Sequence, residues 1–156
     1  MEFPPAPGAG TRIRNDRISH VPKQIISSQS APTTGFTDHQ KPPPIVQAIR
    51  FGNMLFVSGQ GPLDPATKTV VEGDIEVQTK RTLQNLLSVL EAAGATLANV
   101  VNMRVILRDV ADFPRFNEVF REVLDGEKVT RTCVGGVPHR KGVNVEIDCI
   151  AMFDSQ

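Results

Sequence analysis

The chain has 156 residues, 17 Lys plus Arg against 17 Asp plus Glu, and neither Trp nor Tyr. This length predicts a single domain, and the balanced charge excludes a strong electrostatic grip on nucleic acid or an anionic membrane. No apolar run reaches the ~20 residues of a membrane-spanning helix.

The opening stretch differs from the rest. Residues 1–10 are rich in Pro, Ala and Gly, and residues 24–37 in Ser, Thr, Gln and Pro. Neither shows sustained periodicity, which predicts loop, arm or tail. Arg12, Arg14, Arg17 and Lys23 hint at a transit peptide, but Glu2 and Asp16 interrupt them and no amphipathic face forms. Residues 1–41 are therefore expected to be a flexible extension without catalytic role, and residues 42–156 the folded domain.

Residues 45–51 and 54–58 are apolar runs joined by Gly52-Asn53, a hairpin pattern. Gly59-Gln60-Gly61-Pro62 ends the second strand. A loop follows, with room for a short strand at 69–71. Asp74 is placed to cap a helix running to about Ala93, because its side chain can accept from the free amides of the first turn. Leu83, Leu86, Leu87 and Leu90 form the apolar stripe of that helix, with Lys80, Arg81, Gln84 and Asn85 largely off it. Gly94 is a left-handed stop. In the next strand, 100–108, strict alternation puts Val101, Met103, Val105 and Leu107 on one face. A second helix starts at Asp112, with Pro114 in its first turn and a stripe of Phe113, Phe116, Phe120 and Val123. Asp125-Gly126 ends it.

Two strands finish the chain, one beginning near Val129 and one spanning 143–151. They carry Cys133 and Cys149, whose apolar flanks predict reduced core thiols and a reducing compartment, the cytoplasm. His20, His39 and His139 are scattered, so no metal site is expected. The class is α+β: one mostly antiparallel or mixed sheet with two helices on one face. The uncovered face carries Ile150 and Met152 beside Glu146, which predicts that sheets pack between subunits.

Arg131 is the leading candidate for chemistry. An arginine binds a planar carboxylate through two parallel hydrogen bonds. A carboxylate on the following strand, Glu146, is expected to face the same cleft, where it can hold a water or move a proton. An ion pair is the competing explanation for each.

The residues 51–60, then Pro62-Leu63-Asp64-Pro65, Gln78-Thr79, Leu83-Gln84-Asn85-Leu86 and 90–95, resemble the RidA/YjgF family of reactive-intermediate deaminases, also described as endoribonuclease L-PSP-like. The similarity continues through Val100-Val101-Asn102, residues 109–113 and 116–120, Arg131-Thr132-Cys133-Val134 and Val145-Glu146-Ile147, and so covers roughly residues 42–153. It implies a chorismate-mutase-like α+β fold, a homotrimer with sites in the clefts between subunits, and hydrolysis of enamines and imines to 2-oxo acids and ammonia without cofactor or metal. It also assigns roles. Arg131 grips the substrate carboxylate. Glu146 serves the water or the substrate amine. Ser58 approaches the site from the hairpin, and Cys133 contacts substrate through its backbone. Asn117 lies near the cleft, Gly59 lets the backbone turn, and Thr132, beside the arginine, is expected to bind substrate and, like Ser58, to help place the water. As a nucleophile, Cys133 lacks any neighbouring base.

Two departures stand out. Ile45 occupies the position of the family's tyrosine, which removes a hydroxyl and makes that wall apolar. Val129-Thr130-Arg131-Thr132 replaces the common Pro-Ala-Arg-Ser, after a loop that looks shortened. These leave two alternatives to a small 2-imino acid deaminase. One is an aminomuconate-type deaminase acting on a longer, flatter substrate. The other is a non-catalytic trimer that binds small carboxylates or acts as a chaperone.

Overall fold

The computed structural model describes residues 22–32 and 44–154. Eight main elements follow in chain order: β1 (Gln24–Ile26), β2 (Ala48–Phe51), β3 (Met54–Gln60), α1 (Ile75–Ala92), β4 (Val100–Leu107), α2 (Phe113–Leu124), β5 (Thr130–Gly135) and β6 (Val145–Met152). The six strands form one sheet in the order β1-β2-β3-β6-β4-β5. Every neighbouring pair is antiparallel except β4 and β5, which run parallel with α2 as their crossover. Both helices pack on the same face.

Local chemistry explains the elements. Gly52 takes φ 62° at the tip of the β2–β3 hairpin. Asp74 accepts from Val77 N at 3.2 Å and caps α1. Gly94, at φ 74°, follows its last turn. Pro114 sits in the first turn of α2, and Asp125 closes that helix in a left-handed conformation. Arg115 on α2 donates to both Asp74 and Glu76, clamping the starts of the two helices together. The core lies between sheet and helices. Leu55, Met103, Val105, Ile147 and Cys149 meet Leu83, Leu86, Val89, Leu90 and Phe116, all at 1% exposure or less.

Four details differ from the sequence expectations. Residues 24–26, within the stretch expected to be an extension, pair with β2, and Ile26 and Ala31 join the core. This strand is three residues long and too short to show a period. Residues 1–21 and 33–43, with the expected arm and the arginines of the transit-like pattern, lie outside the described residues. In β4 the alternation slips at its start: Val100 is buried and Val101 is 42% exposed, because a register irregularity against β6 falls between Val100 and Asn102. Asn85, placed off the apolar stripe, is buried. The short strand at 69–71 reduces to one bridge, Leu63 to Val70.

The uncovered face of the sheet has two halves. One row crosses it from β1 to β6 as Ile25, Ile49, Phe56 and Ile150, flanked by a second row of Phe51, Met54 and Met152. The other half is polar, with Arg104 and Asp148 paired at 2.8 Å and Glu146 beyond them.

Candidate functional site

Arg131 lies on the edge strand β5. Its register partner on β4 is Met103, so its side chain is on the helix side of the sheet. There the guanidinium carbon stands 4.6 Å from the ring centre of Phe120 and 5.5 Å from those of Phe113 and Phe116. Nη1 donates to Asn117 Oδ1 at 2.9 Å. The rings of α2 hold the cation by its face, and Asn117 fixes one edge. Among the described residues no carboxylate lies within ion-pairing distance of it. Of five N–H donors one is used, which leaves donors for an external carboxylate. The phenylalanines read in the sequence only as a core stripe. Phe116 and Phe120 are indeed buried, but Phe113 is 39% exposed, and all three also serve the arginine. Helical spacing alone cannot separate these two uses.

Cys133 is two residues along the same strand, on the same side and half-buried. Burial raises its thiol above the ordinary value, and the charge of Arg131 opposes that rise only in part. A thiol held protonated suits packing better than nucleophilic attack. Thr132 points to the opposite side, exposed, in register with Arg104.

Glu146 is on β6, in register with Ile106 on β4, and projects from the uncovered face. The expectation that Arg131 and Glu146 share a cleft fails within one chain. β5 pairs with β4 rather than with β6, so a strand stands between the two residues, and their side chains leave opposite faces. What the chain does bring to Glu146 is Gly59. A Cβ at position 59 would overlap Glu146 Oε1 and stand 3.0 Å from Cδ. The glycine gives the carboxylate clearance, and it also lies in the register irregularity of β3 against β6 between Val57 and Gln60. His139 Nδ1 lies 3.9 Å from Glu146 Oε2 on the other side.

Ser58 precedes Gly59, and its Oγ donates to Val46 O at 2.6 Å. Its proton is thus committed to the hairpin backbone, and the hydroxyl faces any ligand as an acceptor. Beside it an open cavity of about 270 Å³ is walled by Ile45, Val46, Ile49, Phe56 and Val57. Ile45 lines this cavity with an apolar side chain.

Two buried amides, unremarked as site residues in the sequence, hold the backbone on either side of Glu146. Asn85 on α1 donates to the carbonyls of Gly61 and Leu63 at 2.9 and 2.8 Å. Gln78 donates to Gly142 O at 2.9 Å and accepts from Asn144 N at 2.8 Å. Each pins a loop, and without them the carbonyls of Leu63 and Gly142 would lose a donor. Among the described residues no three His, Cys, Asp or Glu side chains converge as metal ligands.

A mixed six-stranded sheet backed by two helices places the chain in the α+β class of chorismate-mutase-like proteins. The family model described as Endoribonuclease L-PSP matches residues 39–153, and the chain belongs to this RidA/YjgF/RutC family. A RutC family protein of Pyrococcus abyssi is 42% identical over 130 residues, 83% of this chain and 96% of the relative. A protein of Dermatophagoides farinae named 2-iminobutanoate/2-iminopropanoate deaminase is 32% identical over 133 residues, 85% of this chain and 98% of the relative. The crystal structure of E. coli TdcF with bound serine superposes with a TM-score of 0.74 at 32% identity, covering 84% of this chain and 99% of that one.

Proposed function

We propose that this protein is a hydrolytic deaminase that converts 2-imino acids, or their enamine forms, to 2-oxo acids and ammonia. The observation that carries the reading is Arg131: a guanidinium steadied by Asn117 and three rings, with no carboxylate of its own among the described residues. Burial without a partner is costly for a cation, and a substrate carboxylate supplies the missing charge. The name of the Dermatophagoides relative and the serine bound to TdcF point the same way, since an amino acid presents that carboxylate.

Because Arg131 and Glu146 leave opposite faces of one sheet, the reading requires a second copy of the chain to unite them. The apolar row Ile25, Ile49, Phe56 and Ile150 supplies a surface for such a copy, and a homotrimer is the assembly we propose. The substrate carboxylate docks on Arg131 of one subunit, which fixes the imine carbon. Glu146 of the next takes a proton from water as the new C–O bond forms. That proton passes to the nitrogen of the tetrahedral carbinolamine. The C–N bond then breaks as the new hydroxyl's proton also passes, by way of Glu146, to the nitrogen, and ammonia leaves. Imines hydrolyse unaided, so placed acid–base groups worth about 10²–10⁴ are sufficient. Ser58 helps as an acceptor only, and Cys133 contributes backbone and packing.

A second reading keeps the chemistry and enlarges the substrate. The apolar side chain of Ile45, where the family's tyrosine stands, favours imines with bulkier or flatter chains, including aminomuconate-type dienes. Imino acids of increasing size, generated in situ by an amino acid oxidase, test both. Wild-type protein is expected to accelerate their loss and Arg131→Ala to return it to background. An acceleration that survives in Arg131→Ala, or none with any substrate, would reject the deaminase assignment.

A further inference from the structure

Arg104 shares a face with Glu146 and has no part in the chemistry above. It lies on β4 opposite Asp148 of β6, and its Nε donates to Asp148 Oδ2 at 2.8 Å. That bond fixes the plane of the guanidinium. Nη1 and Nη2 have no partner among the described residues, and the side chain is 63% exposed. These two nitrogens form a fork that takes a carboxylate edge-on.

Glu146 is two residues before Asp148 on the same face, which makes it the diagonal neighbour of Arg104. Such neighbours start about 7–8 Å apart across an antiparallel pair, a gap that suits an extended six-carbon diacid better than a three-carbon acid. An open hollow of about 380 Å³ spans the sheet here. Ser58 and Gly59 line its β3 end, Arg104 lines its β4 end, and Asp148 lies on β6 between them. Gly59 is also the residue packed against the Glu146 carboxylate, so the hollow opens beside the proposed base.

We propose that Arg104 docks a second carboxylate, so that the deaminase proposed above, on which this reading rests, takes dicarboxylic 2-imino or enamino acids. The first carboxylate docks on Arg131 of one subunit. The imine carbon comes to Glu146 of the next, and the distal carboxylate reaches the free fork of Arg104 on that same sheet. Phe56 and Ile150 border the hollow and belong to the apolar row assigned to the second copy, which closes it from that side. Asp148 orients the guanidinium and also repels an anion, so the gain comes from the two hydrogen bonds of the fork rather than from net charge. The neighbouring arginines turn instead to backbone carbonyls. Arg108 donates to Val143 O and Arg140 O at 2.7 and 3.3 Å, and Arg140 donates to Lys68 O at 3.4 Å.

The test compares 2-iminohexanedioate with 2-iminohexanoate, imines of equal length that differ in the distal carboxylate. Each is generated in situ by an amino acid oxidase that accepts its parent amino acid. Docking on Arg131 is common to both and cancels in the ratio of their kcat/KM values. Wild type is expected to favour the diacid, and the preference to shrink between about 20 and 300 mM salt as the second ion pair is screened. Arg104→Gln combined with Asp148→Asn removes both charges together. There the ratio is expected to fall about tenfold, the worth of a charge-assisted hydrogen bond, through a higher KM for the diacid. Arg104→Lys is expected to recover part of it. Circular dichroism and sedimentation velocity verify that the variants fold and assemble. A wild-type ratio at or below one, a ratio insensitive to salt, or a ratio unchanged in the double variant would overturn the second docking point and leave the deaminase reading standing. No Arg131-dependent acceleration with either imine would overturn that reading and the docking point with it.

Discussion

Room for the Glu146 carboxylate exists only because residue 59 has no Cβ: the nearest carboxylate atoms already stand where that carbon would be. Gly59→Ala must displace Glu146 or bend β3. The crowded atoms are the far end of a flexible, part-exposed side chain, so stability is expected to change by less than about 1 kcal/mol, whereas turnover of an imino acid is expected to fall about as far as in Glu146→Gln. Urea melts and the coupled imine assay check the two halves of that expectation. Cys149 makes a second prediction. Burial, with Asp148 adding to it, pushes its thiol up to about 12 from the usual 9.0. The unfolded chain therefore loses this proton first. The stabilisation is complete below pH 9.0 and is lost as pH rises toward 12. Cys149→Ala is expected to flatten that alkaline decline in denaturation curves. Of these residues, Arg131, Glu146, Cys133 and Asn117 were legible from type, order and resemblance. Arg104 was not, because a polar position in a strand carries no role until the sheet sets it beside Asp148 and Glu146.

Helix α1 shows why elements read more clearly than their surroundings. Its cap, its leucine spacing and its stop at Gly94 are signals within one or two turns of each other. Asn85 has no such signal. It lies in the same buried row as Thr82 and Val89, and its partners Gly61 and Leu63 are more than twenty residues away. Asn85→Ala leaves Leu63 O without its donor and Gly61 O with only the amide of Leu63. The expected cost is about 1–3 kcal/mol, seen as a lower midpoint in chemical denaturation, with activity falling as the Gly59–Leu63 segment loosens. The α2 stripe followed the same logic. Its phenylalanines were legible as a buried face, and their second use as a cradle for Arg131 depends on β5 crossing over that face.

At the scale of the whole molecule the proposed homotrimer rests on the uncovered sheet face. Ile25, Phe51 and Phe56 are 65%, 48% and 43% exposed in the isolated chain, an apolar patch that water does not favour. Ile150→Asp, at the β6 end of its longest row, is expected to leave a folded monomer and to abolish turnover, since one chain holds Arg131 and Glu146 on opposite faces. Sedimentation velocity with circular dichroism checks this; an Ile150→Asp protein that remains assembled and active would reject the arrangement. The sequence by itself determined the α+β class, the hairpin, both helices with their caps, and the residue types able to bind a carboxylate and move a proton. These rest on neighbouring residues and on side-chain periods of 2 and 3.6. Only the tertiary structure decided that β4 lies between β5 and β6, that β1 joins the sheet, that Val101 turns outward, and that Arg131 and Glu146 part company within a chain. Strand pairing joins residues far apart in sequence, and a change of neighbour or a one-residue slip reverses which face a side chain takes.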